Sequence, residues 1–307
     1  MQVIVTGGTG LIGKQLVKEL LANGHRVVVL SRSPESKQVL CDAELVQWDA
    51  ESAEGWRNLV EESEAVVNLA GENIAGKGLI PDRWTPSKKS RILNSRLKAG
   101  EAINEAIESA DDKPRVLIQA SAIGYYGTGE EEVTEADPPG GDFLGETARK
   151  WEGVTRPVEK MGVRRAVIRT GIVLSSKGGA FPRLQLPYKL FLGGPLGTGR
   201  QWYSWIHLAD EVRAIRFLLE TEKAEGPFNL AAPDPKRNDE FGKELGKAMG
   251  RPSYLRVPGF PFRVLLGEAS KLVLEGQKVR PARLEELGFE FEYPILDQAL
   301  EDLLGQG

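Results

Sequence analysis

The chain has 307 residues, 27% of them charged and 41% hydrophobic, with a net charge of −4. No basic block stands out, which argues against nucleic acid as a partner; one cysteine, Cys41, excludes an internal disulfide framework and fits a reducing compartment; and two histidines, His25 and His207, exclude a multi-histidine metal site. No apolar run approaches the ~20 residues of a membrane span, and "MQVIVTGG" enters a strand at once, without the look of a signal peptide, so a cytoplasmic protein with no metal and no membrane partner is expected.

"QVIVTGG" at 2–8 is a short apolar run ending in glycines, the pattern of a buried strand. "LIGKQLVKELLANGH" follows at helical spacing, with Gly24 as its stop. "RVVVLSR" at 26–32 reads as the second strand, "AELVQWD" at 43–49 as the third and "EAVVNLAG" at 64–71 as the fourth. A helical stretch from Ser87 to Ser109 precedes the fifth strand, "RVLIQASA"; another from Leu144 to Met161 precedes the sixth, "RRAVIRTGIVL" at 164–174. The texture then changes to glycine, proline and aromatics over 175–205. "HLADEVRAIRFLLE" is a further helix and "GPFNLAAP" a last strand, after which short helices are punctuated by prolines. Alternation of this kind predicts an α/β fold, a Rossmann-type doubly wound parallel sheet. The expected division is a nucleotide-binding domain over 1–173 and 207–233, with a smaller C-terminal substrate lobe over 174–206 and 234–307.

"VTGGTGLIG" sets Gly7, Gly10 and Gly13 between a strand and a helix. Glycines there permit a tight turn and let the backbone approach a pyrophosphate at the helix N-terminus. An NAD site places Asp or Glu at the end of the second strand for the ribose 2′-hydroxyl. Here Ser31, Arg32 and Ser33 stand in that place, and the first carboxylate is Glu35. A guanidinium flanked by hydroxyls suits a 2′-phosphate, so the expected cofactor is NADP, as NADPH in its reduced form.

"TGGTGLIG", "NLAGENIAG", "SAIGYYG", "WIHLADEV" and "FNLAAP", in this order, resemble the extended short-chain dehydrogenase/reductase superfamily. "NLAGENI", "RWTPSKKSRILNSR", "GGPLGTGRQWYSWIH" and "VLEGQKVRPARLEELGFEFEYP" are more particular. They resemble its atypical NADP-binding epimerase-like family, some of whose members carry a cell-division-inhibitor label. The resemblance covers essentially the whole chain. It implies that Gly7, Gly10 and Gly13 hold the pyrophosphate with the amides of Leu11 and Ile12, and that Ser31 and Arg32 take the 2′-phosphate. It further implies Asp49 near the adenine, Leu69 and Ala70 along the ribose, Arg96 reaching the cofactor and Val173 near the nicotinamide.

The resemblance also exposes a gap. The superfamily uses a Tyr-x-x-x-Lys pair on one helix face, the tyrosine as acid/base and the lysine lowering its pKa and holding the ribose. In "GGDFLGETARKWEG", taking Glu152 as the glutamate that follows the lysine by four, Leu144 fills the tyrosine slot and Ala148 the lysine slot. The usual serine slot holds Ala122, next to Ser121. Candidate replacements are Ser121, Tyr125 and Tyr126 after the fifth strand, and His207 at a helix entry, each with an equally simple structural role. Lys88, Lys89 and Arg91 with Trp84 form either an anion site or a solvated face, and Glu146 lies a turn from the lost slots. Gly193, Gly194, Pro195, Gly199, Arg200, Trp202 and Tyr203 read as a pocket-forming loop or a tight connection. The functional expectation is an NADP(H)-binding oxidoreductase or epimerase-like protein acting on a small molecule. A non-catalytic NADPH sensor and a nucleotide-sugar epimerase are the alternatives; the oligomeric state is left open.

Overall fold

The computed structural model describes residues 1–33, 42–76, 78 and 80–305; Glu35 and Cys41 lie outside that set. Seven parallel strands form the central sheet: β1 (Gln2–Thr6), β2 (Arg26–Ser31), β3 (Glu44–Gln47), β4 (Ala65–Asn68), β5 (Val116–Ala122), β6 (Arg164–Thr170) and β7 (Gly226–Leu230). Their spatial order is β7-β6-β5-β4-β1-β2-β3, so the winding reverses between β1 and β4. That reversal opens a crevice at the carboxyl ends of those two strands, where α/β proteins bind ligands.

The strands read as unbroken apolar runs because helices cover both sheet faces. All five residues of β1 are buried. Helices α1 (Leu11–Ala22), α2 (Pro86–Ser109) and α3 (Phe143–Val154) follow β1, β4 and β5. Thr85 caps α2 by accepting from the Lys88 amide, and Pro86 opens its first turn, where proline costs no hydrogen bond. Beyond them come α4 (Phe181–Lys189), α5 (Leu208–Glu220) and α6 (Asn238–Met249). One polar chain crosses the sheet's core. Thr6 donates to Asn68 at 2.7 Å, Asn68 to Gln119 at 2.9 Å, and Gln119 to the Ala120 carbonyl at 2.7 Å.

Two expected elements are divided. The run 164–174 is not one strand. Gly171 lies against the Ser204 carbonyl, where a Cβ would come within 2.7 Å, and Ile172–Leu174 leaves the sheet to pair with Trp205–His207. The helix expected to reach Met161 stops at Val154 and continues as a 3₁₀ turn over Arg156–Met161, with Pro157 in its first turn. A separate core of Tyr188, Tyr203, Trp205, Phe241 and Leu300 lies under the C-terminal segments. The short pairing of Lys278–Val279 with Glu132–Val133 ties those segments back to the first half of the chain. Among the described residues no helix is long and apolar enough to cross a membrane.

Candidate functional site

β1 ends in a turn that only glycine permits. Gly7 has φ +67°, and a Cβ there would meet the Leu69 carbonyl oxygen at 2.7 Å. The carboxyl ends of β1 and β4 therefore touch backbone to backbone. A Cβ on Gly13 would lie 2.3 Å from the Gly7 oxygen, so α1 leans directly on the turn. Gly10 differs, because among the described residues its Cβ would meet only the Gly7 oxygen, at 3.3 Å. It stands at the N-terminus of α1, and no side chain caps that end. Leu11 and Ile12 pack their side chains against the core, while their amides belong to the uncapped turn. A cleft of about 370 Å³ opens here, and Gly7, Gly10, Ser31, Arg32, Leu69 and Ala70 all line it. Arg32 is exposed, and no ion pair joins it to a described carboxylate.

The Asp49 carboxylate is held by its own chain neighbours. It accepts from the amides of Glu51 and Ser52 at 2.8 and 2.9 Å and from the Ser52 hydroxyl at 2.9 Å. These bonds, the Glu51 amide chief among them, hold its pKa below the usual carboxylate range. Trp48 and Ala50, on either side of it, line the cleft instead. Val173 belongs to the short strand that leaves the sheet, opposite Ile206, and packs against the core.

A second cavity of about 210 Å³ lies along α3 and under the C-terminal segments. Leu144 and Ala148, the two slots emptied of Tyr and Lys, form part of its wall with Trp151. The vacated positions thus face a chamber, and they face it with hydrocarbon. Trp202, Tyr203 and Ser204 line it from the glycine-rich loop, and Lys271, Leu272 and Glu275 from the C-terminal segment. Gly193 and Gly194, by contrast, pack against Tyr188 and the Leu255 backbone. Arg96 opens into this second cavity, and its guanidinium lies 4.5 Å over the Trp151 ring.

None of the four proton-donor candidates lines the chamber; a buried arginine in β6 organises three of them. Arg169 binds Glu152 through two nitrogens, at 2.8 and 3.0 Å, and Glu152 accepts from Ser121 at 2.7 Å. The same guanidinium donates to the Tyr126 hydroxyl at 2.9 Å and lies 3.5 Å over the Tyr125 ring. Tyr126 in turn donates to Asn229 at 2.6 Å, and burial pushes its pKa up to about 12. His207 caps α5: its Nδ1 accepts from the Ala209 amide at 3.2 Å, and its Nε2 lies 3.3 Å from the Asp302 carboxylate. Burial lowers its pKa, which fits a neutral ring protonated on Nε2.

The basic cluster is dispersed. Lys88 pairs with Asp82 at 2.8 Å, Lys89 with Glu268, and Arg91 donates to Ser87. Glu146 is exposed and paired with Arg149. Sequence reasoning missed Arg169, although a charged residue inside the apolar run "AVIRT" was the available signal. It also missed Glu211, fully buried on α5 and bonded by Thr170, which lines the chamber.

A glycine turn at the switch point of a doubly wound sheet, with a second chamber under a C-terminal lobe, defines a dinucleotide-fold protein of the extended dehydrogenase/reductase kind. The chain belongs to the NAD-dependent epimerase/dehydratase family, whose model matches residues 3–143. A domain of unknown function, DUF1731, matches residues 257–303. An epimerase family protein of Staphylococcus aureus (strain MRSA252) is 39% identical over 99% of each chain. The chloroplastic homolog of epimerase family protein SDR39U1 from Arabidopsis thaliana is 42% identical over 99% of this chain and 87% of its own. The crystal structure of human epimerase family protein SDR39U1 (isoform 2), solved with NADPH, superposes with a TM-score of 0.90 at 34% identity, covering all of both chains.

Proposed function

We propose that this chain binds NADP(H) in the glycine-loop cleft and acts as an oxidoreductase or epimerase-like enzyme on a small molecule in the second chamber. One observation carries the cofactor choice. Ser31 and Arg32 line the cleft at the end of β2, where an NAD site needs a carboxylate. The residues fit the group: Gly10 leaves the floor of the cleft without a side chain, α1 presents an uncapped N-terminus to a pyrophosphate, and Arg32 presents a cation to a 2′-phosphate. The human relative solved with NADPH supports the same choice. When bound, the nicotinamide supplies or accepts a hydride. Leu69 and Ala70 flank the ribose in this reading, and Leu144, Ala148 and Trp151 keep water from the reacting face.

Titration by intrinsic tryptophan fluorescence tests it, since Trp48 lines the cleft. NADPH is expected to bind at least about tenfold more tightly than NADH, the scale of one charge-assisted contact. Equal affinities or a preference for NADH overturn the choice. A second reading, a protein that senses NADPH without turning it over, draws support from Ser121, Tyr126 and His207, each engaged in structural bonds. Oxidation of bound NADPH by any member of a carbonyl panel excludes the sensor. A nucleotide-sugar epimerase is the least supported, because the chamber wall carries Leu144 and Ala148 where sugar chemistry needs an acid/base and its partner.

A further inference from the structure

We propose that Gln277, from the C-terminal segment, and Thr147, from α3, read the ligand of the second chamber, and that this ligand is a small uncharged carbonyl compound with a hydroxyl on the neighbouring carbon. The inference rests on the reading of this chamber as the substrate site; it adds the substrate's chemical class and the residues that select it.

The charged groups of the chamber are already answered. Arg96, Lys271, Asp142 and Glu275 line it, two cations and two carboxylates. Arg96 has Glu72 as its counter-charge and donates to the carbonyls of Glu72 and Ile92 at 3.0 and 2.8 Å. It packs on Gly71, which with Glu72 lines the glycine-loop cleft, so it stands between the two cavities. Lys271 pairs with Asp142 at 3.0 Å, and Glu275 accepts from the Thr128 hydroxyl at 3.0 Å. A charged ligand would upset this balance, and an uncharged one leaves it in place.

The hydroxyl and amide groups of the wall divide differently. Thr170 donates to Glu211 at 2.8 Å, and the Tyr203 hydroxyl is bonded to Asn238. Ser204 donates to the Gln277 carbonyl at 2.8 Å and accepts from the Val279 amide at 2.9 Å. Thr147 and Gln277 remain. They are 6% and 9% exposed, and both line the chamber. Neither the Thr147 hydroxyl nor the Gln277 side-chain amide has a hydrogen-bond partner among the described residues. Burial without a partner is costly for such groups, and a ligand that pairs with them removes the cost. Nearby Gln201 is the contrast, its Nε2 donating to the carbonyls of Leu196 and Val273 at 3.1 and 3.2 Å.

The backbone that carries Gln277 is fixed even though the side chain is not. Ser204 bonds it on both sides, and the pairing of Lys278–Val279 with Glu132–Val133 follows at once. A Cβ on Gly276 would collide with the Trp202 carbonyl, so the two segments touch backbone to backbone. A free carboxamide on a rigid support is placed to read a ligand. It presents an N–H donor beside a carbonyl acceptor, and a carbonyl oxygen next to a hydroxyl answers both. Thr147 adds a hydroxyl on the α3 face that carries Leu144 and Ala148. Lys271, Leu272, Glu275, Gly276 and Gln277 all fall within the 257–303 domain of unknown function, which on this inference supplies the selecting part of the chamber.

The test uses the full chain, with and without saturating NADP⁺, and three probes. Propioin carries a hydroxyl beside its carbonyl, ethyl propyl ketone has the same skeleton without the hydroxyl, and α-ketocaproate has a carboxylate beside its carbonyl. Saturable quenching of tryptophan fluorescence reads binding, since Trp151 and Trp202 line the chamber. Propioin is expected to bind about tenfold more tightly than the ketone, which leaves the Gln277 acceptor unpaired, and more tightly than α-ketocaproate. Gln277→Met, which keeps the volume and loses both polar atoms, should bring propioin down to the level of the ketone and leave the ketone and NADPH affinities in place. Thr147→Val should cost propioin about threefold or more. If Gln277→Met does not fold, Gln277→Glu, which keeps the shape and loses the donors, is expected to show the same loss, and the wild-type series still decides. Propioin binding no better than the ketone overturns the proposal. So does α-ketocaproate binding most tightly, or a Gln277→Met protein that keeps the wild-type preference. A parallel NADPH titration separates the two readings. A propioin preference that depends on Gln277, without NADPH binding, removes the cofactor assignment and keeps this one, and NADPH binding without the preference removes this one alone.

Discussion

The two cavities follow opposite building plans. The glycine-loop cleft is made largely of backbone: a turn at Gly7, an uncapped helix beginning after Gly10, and two side chains at the end of β2. The second chamber is made of side chains brought from α2, α3, the 202–204 loop and the 271–277 segment. A backbone site tolerates almost any neighbours provided its glycines stay. A side-chain site changes its chemistry with each substitution, and Leu144 and Ala148 are such changes. The contrast explains how a chain can keep a superfamily's cofactor cleft and lose its proton donor.

The sharpest way to break this contrast is Gly10→Val. Among the described residues a Cβ at Gly10 would meet just the Gly7 oxygen, at 3.3 Å, so the variant is expected to fold. Its isopropyl group would fill the cleft floor, and NADPH affinity should fall about 100-fold or more, a loss of about 2.7 kcal/mol. Fluorescence titration beside a thermal melt checks both halves; full binding in a folded variant moves the cofactor elsewhere. Gly13→Val is a control that should fail to fold, since its Cβ would meet the Gly7 oxygen at 2.3 Å. Next in size is Arg32→Ala. NADPH affinity should drop about tenfold with NADH affinity nearly unchanged, because only the 2′-phosphate contact is lost. Parallel losses for both cofactors would show that Arg32 acts through the fold.

The difference in plan also decides what the sequence discloses. The cleft is encoded by neighbours in the chain, "VTGGTGLIG" and "VVLSRSP", so its glycines and its arginine could be read directly. Seven strands could be read for the same reason, as local apolar runs. Gly171 ends β6 because of the distant Ser204 carbonyl, and nothing adjacent to it announces that contact. The chamber was half legible. Leu144 and Ala148 were found by their register on one helix, and both do line it. Ser121, Tyr125 and Tyr126 sat at the expected sheet edge, but Arg169 draws all three aside, and its grip depends on residues from 17 to 44 positions away. Asp49 was placed by its position after β3, and local amides captured its carboxylate.

Tyr126→Phe tests whether that side of the molecule is scaffold or machinery. The variant removes the bonds to Arg169 and Asn229 and leaves Arg169 with one fewer partner in a buried setting. A scaffold role predicts a loss of about 1–3 kcal/mol in unfolding free energy, measured in denaturant, with NADPH affinity unchanged. Unchanged stability together with a turnover loss of about 100-fold on an identified substrate would instead make Tyr126 the relocated proton donor, and the chamber would have kept an acid after all.

The last test concerns Glu211, which sits behind the chamber wall and touches neither cavity. Its Oε1 accepts from Thr170 at 2.8 Å, its Oε2 has no partner among the described residues, and burial pushes its pKa up to about 8 from 4.5. Raising a carboxyl's pKa on folding means that the native state keeps a proton the unfolded chain releases. Below pH 4.5 both states hold it, and stability from this group is at its fullest. Between pH 4.5 and about 8 only the native state holds it, so stability falls with rising pH, by up to about 1.4 kcal/mol per unit. Above that range both states are ionised and the slope ends. Glu211→Gln keeps the shape and cannot ionise. It is expected to flatten this fall, matching the wild type near pH 5 and exceeding it near pH 8 by up to about 4 kcal/mol, three pH units at about 1.4 kcal/mol each. Denaturant melts at the two pH values measure the difference directly. A wild-type protein whose stability is level from pH 5 to 8, or a Gln variant with the same slope, would mean that Glu211 is ionised in the fold. Thr170 would then present to the chamber a hydroxyl held by a full negative charge, and the apolar character of that wall would end at β6.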